Sequence, residues 1–287
     1  MRVLDLNLPD SPANRQRVPA VEIQNVTCSF SSAIKGNSKP SLYTAIRDVS
    51  LTIADGEFVS VVGPTGCGKS TILNVVAGLL RPSSGQINIF GQKLDGLNAK
   101  AGYLFQAEGL MPWRTALGNI TAGLEFRGVD SDEIAERAQD WLQRVGLAGF
   151  DNRYPHQLSG GMRKRVALAQ TLILDPKIIL MDEPFSALDI QTRQLMENEL
   201  LDLWSADKKS VLFITHDLEE AISMSDRVVV LSAGPGTHPI GEFLIDLPRP
   251  RDVAEIRHTP RFSELHREIW NAMKEEVMKG YVQSQRK

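Results

Sequence analysis

Apolar residues recur along this chain with two different spacings. Short runs dominated by apolar and β-branched residues, typical of strands, occupy residues 21–30, 45–53, 58–62, 86–90, 101–105, 177–181, 211–215 and 228–231. Longer stretches with apolar residues three and four positions apart predict helices at 72–80, 115–126, 130–145, 159–172 and 190–204. Strands alternating with helices favour an α/β fold, with a mostly parallel sheet covered by helices on both faces. We expect ligand-binding loops at the carboxyl ends of those strands.

One strand-to-helix turn carries a phosphate-binding pattern. Residues 63–71 read G-P-T-G-C-G-K-S-T and match G-x-x-x-x-G-K-[ST] at every defined position. Glycines allow the backbone N–H groups to curl inward around phosphate oxygens, and the next helix presents its positive dipole end to them. Lys69 is expected to reach the outer phosphates, and the Ser70 hydroxyl to hold Mg²⁺. The alternative is an ordinary glycine-rich turn, but the buried strand before it and the apolar helix after it favour the phosphate site. The predicted nucleotide-binding residues are Gly63, Pro64, Thr65, Gly66, Cys67, Gly68, Lys69, Ser70 and Thr71.

Composition excludes several classes of protein. The 287 residues are 42% hydrophobic, which is enough for a substantial core. A net charge of -3 argues against binding nucleic acid through bulk charge. No apolar run approaches the roughly 18–20 residues needed to cross a bilayer, and no secretion signal begins the sequence. Two cysteines, Cys28 and Cys67, offer no disulfide framework and fit a reducing compartment.

The two ends of the chain differ in character from the middle. Residues 1–19 are rich in Pro, Asn, Arg and Asp and are expected to form a flexible leader. After residue 247 a Pro-Arg-Pro-Arg run precedes a predicted amphipathic helix that begins near Pro260. We interpret residues 248–287 as a C-terminal helical extension. Its apolar face is expected to pack on the protein's own core rather than on a partner, and contains Phe262, Leu265, Ile269, Met273 and Val277.

Five features follow one another in an informative order. They are Lys69, Gln106, the turn Ser159-Gly160-Gly161, the pair Asp182-Glu183, and His216. This order resembles the ATP-binding cassette (ABC) ATPase family, whose signature LSGGQ is matched by residues 158–162 with Met162 in place of glutamine. The resemblance covers about residues 21–247. It implies a domain at 20–247, with a P-loop NTPase core, an N-terminal antiparallel β-subdomain and an inserted α-helical subdomain at about 107–175.

The family resemblance implies roles for the polar residues at the strand ends. Asp182 resembles the aspartate that holds Mg²⁺, whereas Glu183 resembles the general base that activates water. Gln106 is implied to touch the metal and the water, and His216 to contact the γ-phosphate and hold the base. The catalytic set would be Glu183, His216, Gln106 and Lys69, and the metal set Ser70, Gln106 and Asp182. Two solvated carboxylates at 182 and 183 and a structural histidine at 216 are the alternatives.

The resemblance also implies that the chain forms only half of each site. Ser159, Gly160 and Gly161 form a helix N-terminus suited to a phosphate, and in this family each such turn completes the site of a second subunit in a head-to-tail dimer. Residues 186–189 resemble the D-loop, which contacts that subunit. Met162 leaves the serine and glycine contacts untouched. Phe30 is the first candidate for stacking on adenine and Tyr43 the second, although either could be an ordinary core aromatic.

A final set of implied properties concerns transport. The apolar stretch 110–114, which contains Leu110 and ends at Arg114, is the implied docking groove for a transmembrane permease. This stretch, Met162 and the proline-arginine run resemble importers of nitrate, sulfonates, taurine and bicarbonate. Such a chain would bind ATP and Mg²⁺ at the cytoplasmic face of the inner membrane and act indirectly with an extracytoplasmic solute-binding protein. A soluble ABC ATPase in DNA repair or translation and a small-molecule kinase are the alternatives.

Overall fold

The computed structural model describes residues 18–32 and 41–284, which form two sheets and surrounding helices. The strands are β1 (Val21–Ser32), β2 (Ser41–Ile53), β3 (Phe58–Val62), β4 (Ser84–Ile89), β5 (Gln92–Lys93), β6 (Ala101–Leu104), β7 (Ile178–Asp182), β8 (Ser210–Ile214), β9 (Arg227–Leu231) and β10 (Pro239–Leu244). The helices are α1 (Lys69–Val76), α2 (Ala116–Phe126), α3 (Ser131–Arg144), α4 (Gly160–Leu172), α5 (Ile190–Ala206), α6 (Leu218–Met224), α7 (Val253–Ile256) and α8 (Pro260–Ser284). The predicted leader, apart from Val18 and Pro19, and most of the predicted loop at 31–41 lie outside the described residues.

The central sheet has the strand order β10-β9-β3-β8-β7-β6. Every pairing in it is parallel except that of β10 with β9. Strands β3 and β8 are buried along their whole length, which explains why their sequences are continuous apolar runs rather than alternating ones. The predicted mostly parallel sheet is confirmed. Its antiparallel edge strand was missed, because Pro239–Leu244 contains Pro and Gly and only half of its residues are shielded.

A second sheet, in the order β2-β1-β4-β5, is antiparallel throughout. Strand β1 is irregular between Ile23 and Val26, where Asn25 has φ of 48°. The predicted bulge near Asn25 is therefore present, and asparagine tolerates this left-handed conformation better than most residues. Strand β2 begins at 41 rather than at 45, because pairing with β1 extends the strand through Leu42 and Tyr43, which are exposed and do not belong to the buried pattern.

Helices α2, α3 and α4 build a separate hydrophobic cluster within the predicted insert. Ile120, Leu124, Leu142, Val166 and Ile173 are buried there. Helix α2 is capped by Thr115, whose hydroxyl accepts the Gly118 amide. One buried side chain, Asn119, donates to the carbonyls of Met111, Arg114 and Thr115 and accepts the Met111 amide. Asn119 thus holds the loop that precedes α2 against the helix.

The C-terminal helix packs on the protein's own core, as its pattern predicts. Phe262, Leu265, Ile269 and Met273 are buried against α6, β9 and residues that follow β10. Buried Arg251 attaches the preceding segment by donating to five backbone carbonyls, those of Ile222, Ser223, Ser225, Ile245 and Leu247. Burial lowers the pKa of Arg251 to about 10.

The far end of α8 reaches the phosphate-binding turn. The Glu276 carboxylate accepts the amide of Ala233, 2.7 Å away. A Cβ on Gly280 would lie 3.0 Å from Cβ of Pro64, so the helix and the turn are in close contact. The predicted extension is therefore continuous with the core beside the phosphate loop.

A buried charge cluster lies between α5, α6 and α7. Glu197 and Glu220 are 0% and 2% exposed, and Arg257 donates to Glu197 at 3.2 Å. Burial and the neighbouring carboxylates of Glu220 and Asp217 raise the pKa of Glu197 to about 8, although Arg257 and Arg193 oppose the shift. The folded chain therefore retains a proton on Glu197 that the unfolded chain loses at lower pH.

We predict that Ile269→Ala lowers the free energy of unfolding by about 2–5 kcal/mol, because it removes buried methyl groups and leaves a cavity. Leu195→Ala is the matched control, since Leu195 is 60% exposed on α5. Chemical denaturation measures both. Equal losses in the two variants would show that α8 does not contribute its buried face to the stability of the core.

We predict that Glu197→Gln weakens the pH dependence of stability. A carboxyl whose pKa is raised on folding stabilises the protein fully below its unfolded value of about 4.5 and loses that contribution as pH rises towards 8. Glutamine cannot titrate, so the Tm of the variant should fall less than that of the wild type between about pH 5 and 8. Glu264→Gln, on the surface of α8, is the control. Parallel curves of Tm against pH for wild type and Glu197→Gln would contradict the raised pKa of Glu197.

Candidate active site

The turn between β3 and α1 forms an open cradle of backbone amides. Gly66 and Gly68 have φ of 75° and 106°, a conformation that side chains rarely adopt. A Cβ on Gly68 would lie 2.9 Å from Cγ2 of Ile46 on β2, whereas one on Gly66 would meet nothing within 4 Å. Gly68 caps α1 without a side-chain hydrogen bond. Because no side chain caps α1, the amides at its start are suited to an anion such as a nucleotide phosphate, although the Thr71 amide already donates to the Gly68 carbonyl at 3.0 Å.

Lys69 is folded back across this turn. Its ammonium group donates to the carbonyls of Gly63 and Pro64, at 2.9 and 3.1 Å, and the side chain is 6% exposed. The lysine therefore holds the turn in its curled form. Cys67 is buried within the turn, and burial raises the pKa of its thiol, which makes it an inert small residue.

Ser70 and Asp182 meet at the adjoining strand end. The Ser70 hydroxyl donates to Oδ1 of Asp182 at 3.1 Å. Burial raises the pKa of Asp182, while the Ser70 hydrogen bond opposes that shift. A hydroxyl and a carboxylate are hard oxygen donors that fit Mg²⁺. No group of three or more His, Cys, Asp or Glu capable of holding a metal occurs in residues 18–32 and 41–284, so phosphate and water would have to complete the coordination.

Glu183 and His216 are brought together by neighbouring strands. Glu183 follows β7 and His216 follows β8, and Oε2 of Glu183 lies 2.9 Å from Nδ1 of His216. Glu183 has φ of 45°, which is unfavourable for a residue with a long side chain, and its amide donates to the Ile214 carbonyl. Strain of this kind often marks a functional position. The pairing has the geometry expected of a base held by a histidine.

A chain of hydrogen bonds connects these residues to the helical insert. Ser186 Oγ donates to the Glu183 carbonyl at 3.0 Å, and the Gln106 amide lies 3.5 Å from Ser186 Oγ. Lys164, buried on α4, donates to the carbonyl of Gln106. The Gln106 side chain thus contacts Ser186. The helical insert reaches the site through Lys164, which donates to the Gln106 backbone carbonyl.

The Ser159-Gly160-Gly161 turn opens α4. Ser159 Oγ accepts the Met162 amide at 3.2 Å, as an N-cap does. A Cβ on Gly161 would lie 2.9 Å from Cγ2 of Thr192, whereas one on Gly160 would have only Arg163 near it. Among the described residues no hydrogen bond joins this turn to residues 63–71. The turn is therefore not hydrogen-bonded to the phosphate cradle of its own chain within the described ranges.

Phe30 and Tyr43 are directly opposite each other across β1 and β2. They are 41% and 42% exposed, so neither is an ordinary core aromatic. Because opposite residues of an antiparallel pair share one face of the sheet, the structure offers both rings on the same surface. The choice between them as the adenine contact stays open.

Sequence reasoning missed three residues at the site. Tyr103 donates to Asn74 at 3.3 Å, and burial together with the nearby Asp182 carboxylate raises the pKa of its phenol. Lys164 and Arg193 contact the loops around Gln106 and Asp189 from helices. The position of Tyr103 in the strand that ends before Gln106 was an available signal. Lys164 and Arg193 gave no such signal in the sequence, because charged residues on amphipathic helices are usually solvated.

These features define a class of protein: a phosphate-loop ATPase with an inserted helical segment. The family profile described as ABC transporter matches residues 46–186. An uncharacterised ABC transporter ATP-binding protein of Methanocaldococcus jannaschii is 45% identical over 273 residues, covering 94% of this chain and 98% of that relative. The taurine import ATP-binding protein TauB of Pelagibacter ubique is 42% identical over 244 residues, covering 82% of this chain and 90% of that protein.

A solved structure extends the similarity to three dimensions. The dimeric post-hydrolysis state of an ATP-binding cassette bound to ADP and Pi has a TM-score of 0.69 and 34% identity, and covers 79% of this chain and 100% of that one. The chain belongs to the ABC transporter family of ATP-binding proteins. It is accordingly an ATP-binding ATPase, and the predicted fold class is confirmed.

We predict that Glu183→Gln reduces steady-state phosphate release by about 10²–10⁴-fold, because an amide cannot accept a proton from water. Affinity for a fluorescent ATP analogue should change little, since the cradle at residues 63–71 is intact. Glu133→Gln, on the exposed surface of α3, is the control. Hydrolysis at the wild-type rate in Glu183→Gln would exclude this carboxylate as the base.

Proposed function

We propose that this chain is the ATP-hydrolysing subunit that energises a membrane importer of a small anionic solute of the sulfonate, nitrate or bicarbonate type. The observation that carries the proposal is the Glu183–His216 pair, 2.9 Å apart, beside the Ser70–Asp182 pair and the phosphate cradle. The import function and solute class are supported by relatives named for taurine import, which are 42–47% identical.

In the proposed mechanism each polar group has one task. The amides of residues 63–71 and Lys69 bind the phosphates of ATP, and Lys69 exchanges the carbonyls of Gly63 and Pro64 for phosphate oxygens. Ser70 and Asp182 would hold Mg²⁺, which would offset the charge that develops on the phosphates. Glu183 accepts a proton from the attacking water while His216 fixes its carboxylate. Gln106 links this centre to the insert.

We further propose that two copies assemble head to tail. The Ser159-Gly160-Gly161 turn has helix amides suited to a phosphate but is not hydrogen-bonded to its own cradle within the described ranges. In the assembly each turn closes on the ATP held by the other copy. The solved cassette structures of similar fold are described as dimeric, which supports this arrangement.

The permease would dock beside the loop that follows Gln106. Trp113 and Phe126 are 73% and 78% exposed, and the Arg114 guanidinium lies 5.8 Å from the Phe126 ring. Within the proposed docking stretch 110–114, Leu110 packs against the helical insert and Met111 is half-buried. No helix in the described ranges is long and apolar enough to cross a membrane. Attachment to the cytoplasmic face through a permease, and indirect action with an extracytoplasmic binding protein, are parts of the proposal.

We predict that Lys69→Ala loses nucleotide binding, nucleotide-dependent dimer closure and solute uptake together, because one ammonium group serves both the turn and the phosphates. Lys93→Ala is the control, since Lys93 is exposed on β5. Equilibrium binding, sedimentation with ATP, and uptake in membrane vesicles measure the three losses. A Lys69→Ala variant that still supported uptake would exclude this site as the motor.

Membrane pull-down tests the importer assignment. The wild-type chain should co-purify with an integral membrane protein, and Trp113→Ala should weaken that association by about tenfold or more, as loss of an aromatic anchor does. Trp270→Ala is the matched control, because Trp270 is an exposed tryptophan on α8. Recovery of the wild-type chain only in soluble complexes would contradict a transport role.

A further inference from the structure

Arg193, on the first turn of α5, contacts two loops of the active site. Its Nη2 donates to the Leu188 carbonyl at 3.3 Å, and its Nη1 donates to Oδ2 of Asp217 at 3.2 Å. Leu188 belongs to segment 186–189, and Asp217 directly follows His216. The guanidinium therefore bridges the segment implied to meet the second copy and the loop that carries the histidine.

On the histidine side, Arg193 holds the start of α6. Oδ1 of Asp217 accepts the amides of Glu219 and Glu220, which leaves Oδ2 for Arg193. The Asp217 amide donates to Thr215 Oγ1 at 3.0 Å, and the Thr215 hydroxyl donates to the Glu220 carboxylate. Glu220 in turn lies 3.6 Å from Arg193. Both neighbours of His216 in the sequence are thus fixed by one charged network.

On the other side, segment 186–189 is held at both ends. Ser186 Oγ donates to the Glu183 carbonyl, and Asp189 caps α5 by accepting the Thr192 amide at 3.0 Å. Ala187 and Leu188, which lie between these two residues, have no polar side chains, so a helix side chain can hydrogen-bond only to their backbone. Arg193 donates to the Leu188 carbonyl. A displacement of this segment therefore acts on Arg193 directly.

We propose that Arg193 is a positioning residue that couples segment 186–189 to His216, so that contact with the second copy sets the place of His216 against Glu183. This inference rests on the proposed dimeric ATPase function and deepens it. The fork of arginine matters here, because it presents separate nitrogens to the two loops, Nη1 to Asp217 and Nη2 to Leu188, whereas lysine has one nitrogen that would have to reach both acceptors. Arg193 itself touches neither nucleotide nor water in this scheme.

The same buried cluster contains a matched control. Arg257 donates to Glu197 and pairs with Glu219, both at 3.2 Å. It follows α7, and both Arg257 and Arg193 lower the pKa of the buried Glu197 by their charge. Its hydrogen bonds and ion pairs within residues 41–284 do not include segment 186–189. Arg193→Lys and Arg257→Lys each keep a positive charge in the cluster but replace the forked guanidinium with a single ammonium group.

The experiment compares kcat, KM for ATP, Tm and the Kd of a fluorescent ATP analogue for the full-length chain. We expect Arg193→Lys to lower kcat by about 10- to 100-fold, as small misplacements of catalytic groups do, with KM and Kd little changed. Arg257→Lys should keep kcat within about twofold at a similar Tm. The double variant Arg193→Lys/Asp217→Asn should have nearly the same kcat as Arg193→Lys, because both changes break the same Arg193–Asp217 contact. Asparagine at 217 still caps α6 through its side-chain oxygen.

Two results would overturn the inference. One is wild-type kcat in Arg193→Lys, and the other is an equal kcat loss in both lysine variants that follows their Tm, which indicates a structural role alone. Failure of the proposed function is distinguishable from these results. In that case the wild type and Glu183→Gln would hydrolyse ATP at the same background rate.

Discussion

The parallel pairing of β3, β8 and β7 is the constraint on which the site depends. These three strands are adjacent and in register, so their carboxyl ends lie side by side at one edge of the sheet. That edge carries the phosphate turn after β3, Asp182 and Glu183 at the end of β7, and His216 after β8. Residues more than 100 positions apart in the chain therefore come within hydrogen-bonding distance, as Ser70 and Asp182 do. Continuous apolar runs make the strands buried on both faces, and burial keeps this edge rigid.

The polar groups at that edge are arranged at a cost to the backbone. Glu183 has a left-handed conformation because its amide continues the ladder to Ile214 while its side chain turns towards His216. The strain is tolerated because Ser186 and the β8 loop hold the same segment from other directions. Rigid placement of polar groups reduces the reorganisation needed when charge develops. The helix N-terminus at 159–161 belongs to the insert, and in the proposed head-to-tail assembly it completes the site of the other copy.

The C-terminal extension is built into this arrangement rather than appended to it. Arg251 ties its start to five carbonyls around α6 and the segment after β10, and Arg257 pairs with glutamates of α5 and α6. The far end of α8 contacts Pro64 and Ala233 beside the phosphate turn. Helix α6, which starts two residues after His216, is thus contacted by the extension on one side and by Arg193 near its start. The extension packs on α6, whereas Arg193 contacts the histidine loop itself through Asp217.

The sequence alone determined the class of fold, the phosphate turn and the order of the polar residues at the strand ends. Those features are local: a loop motif, a buried apolar run and a helix stripe are each set by neighbouring residues. Even the bulge at Asn25 was visible as a break in alternation. What the tertiary structure decided is which distant groups meet. Strand register and helix packing place the Lys69 ammonium on the carbonyls of the phosphate turn, Gln106 against Ser186, Phe30 opposite Tyr43, and Arg193 between two loops. A polar residue on a helix looks solvated in sequence, because only the packed fold shows which partner its charge faces.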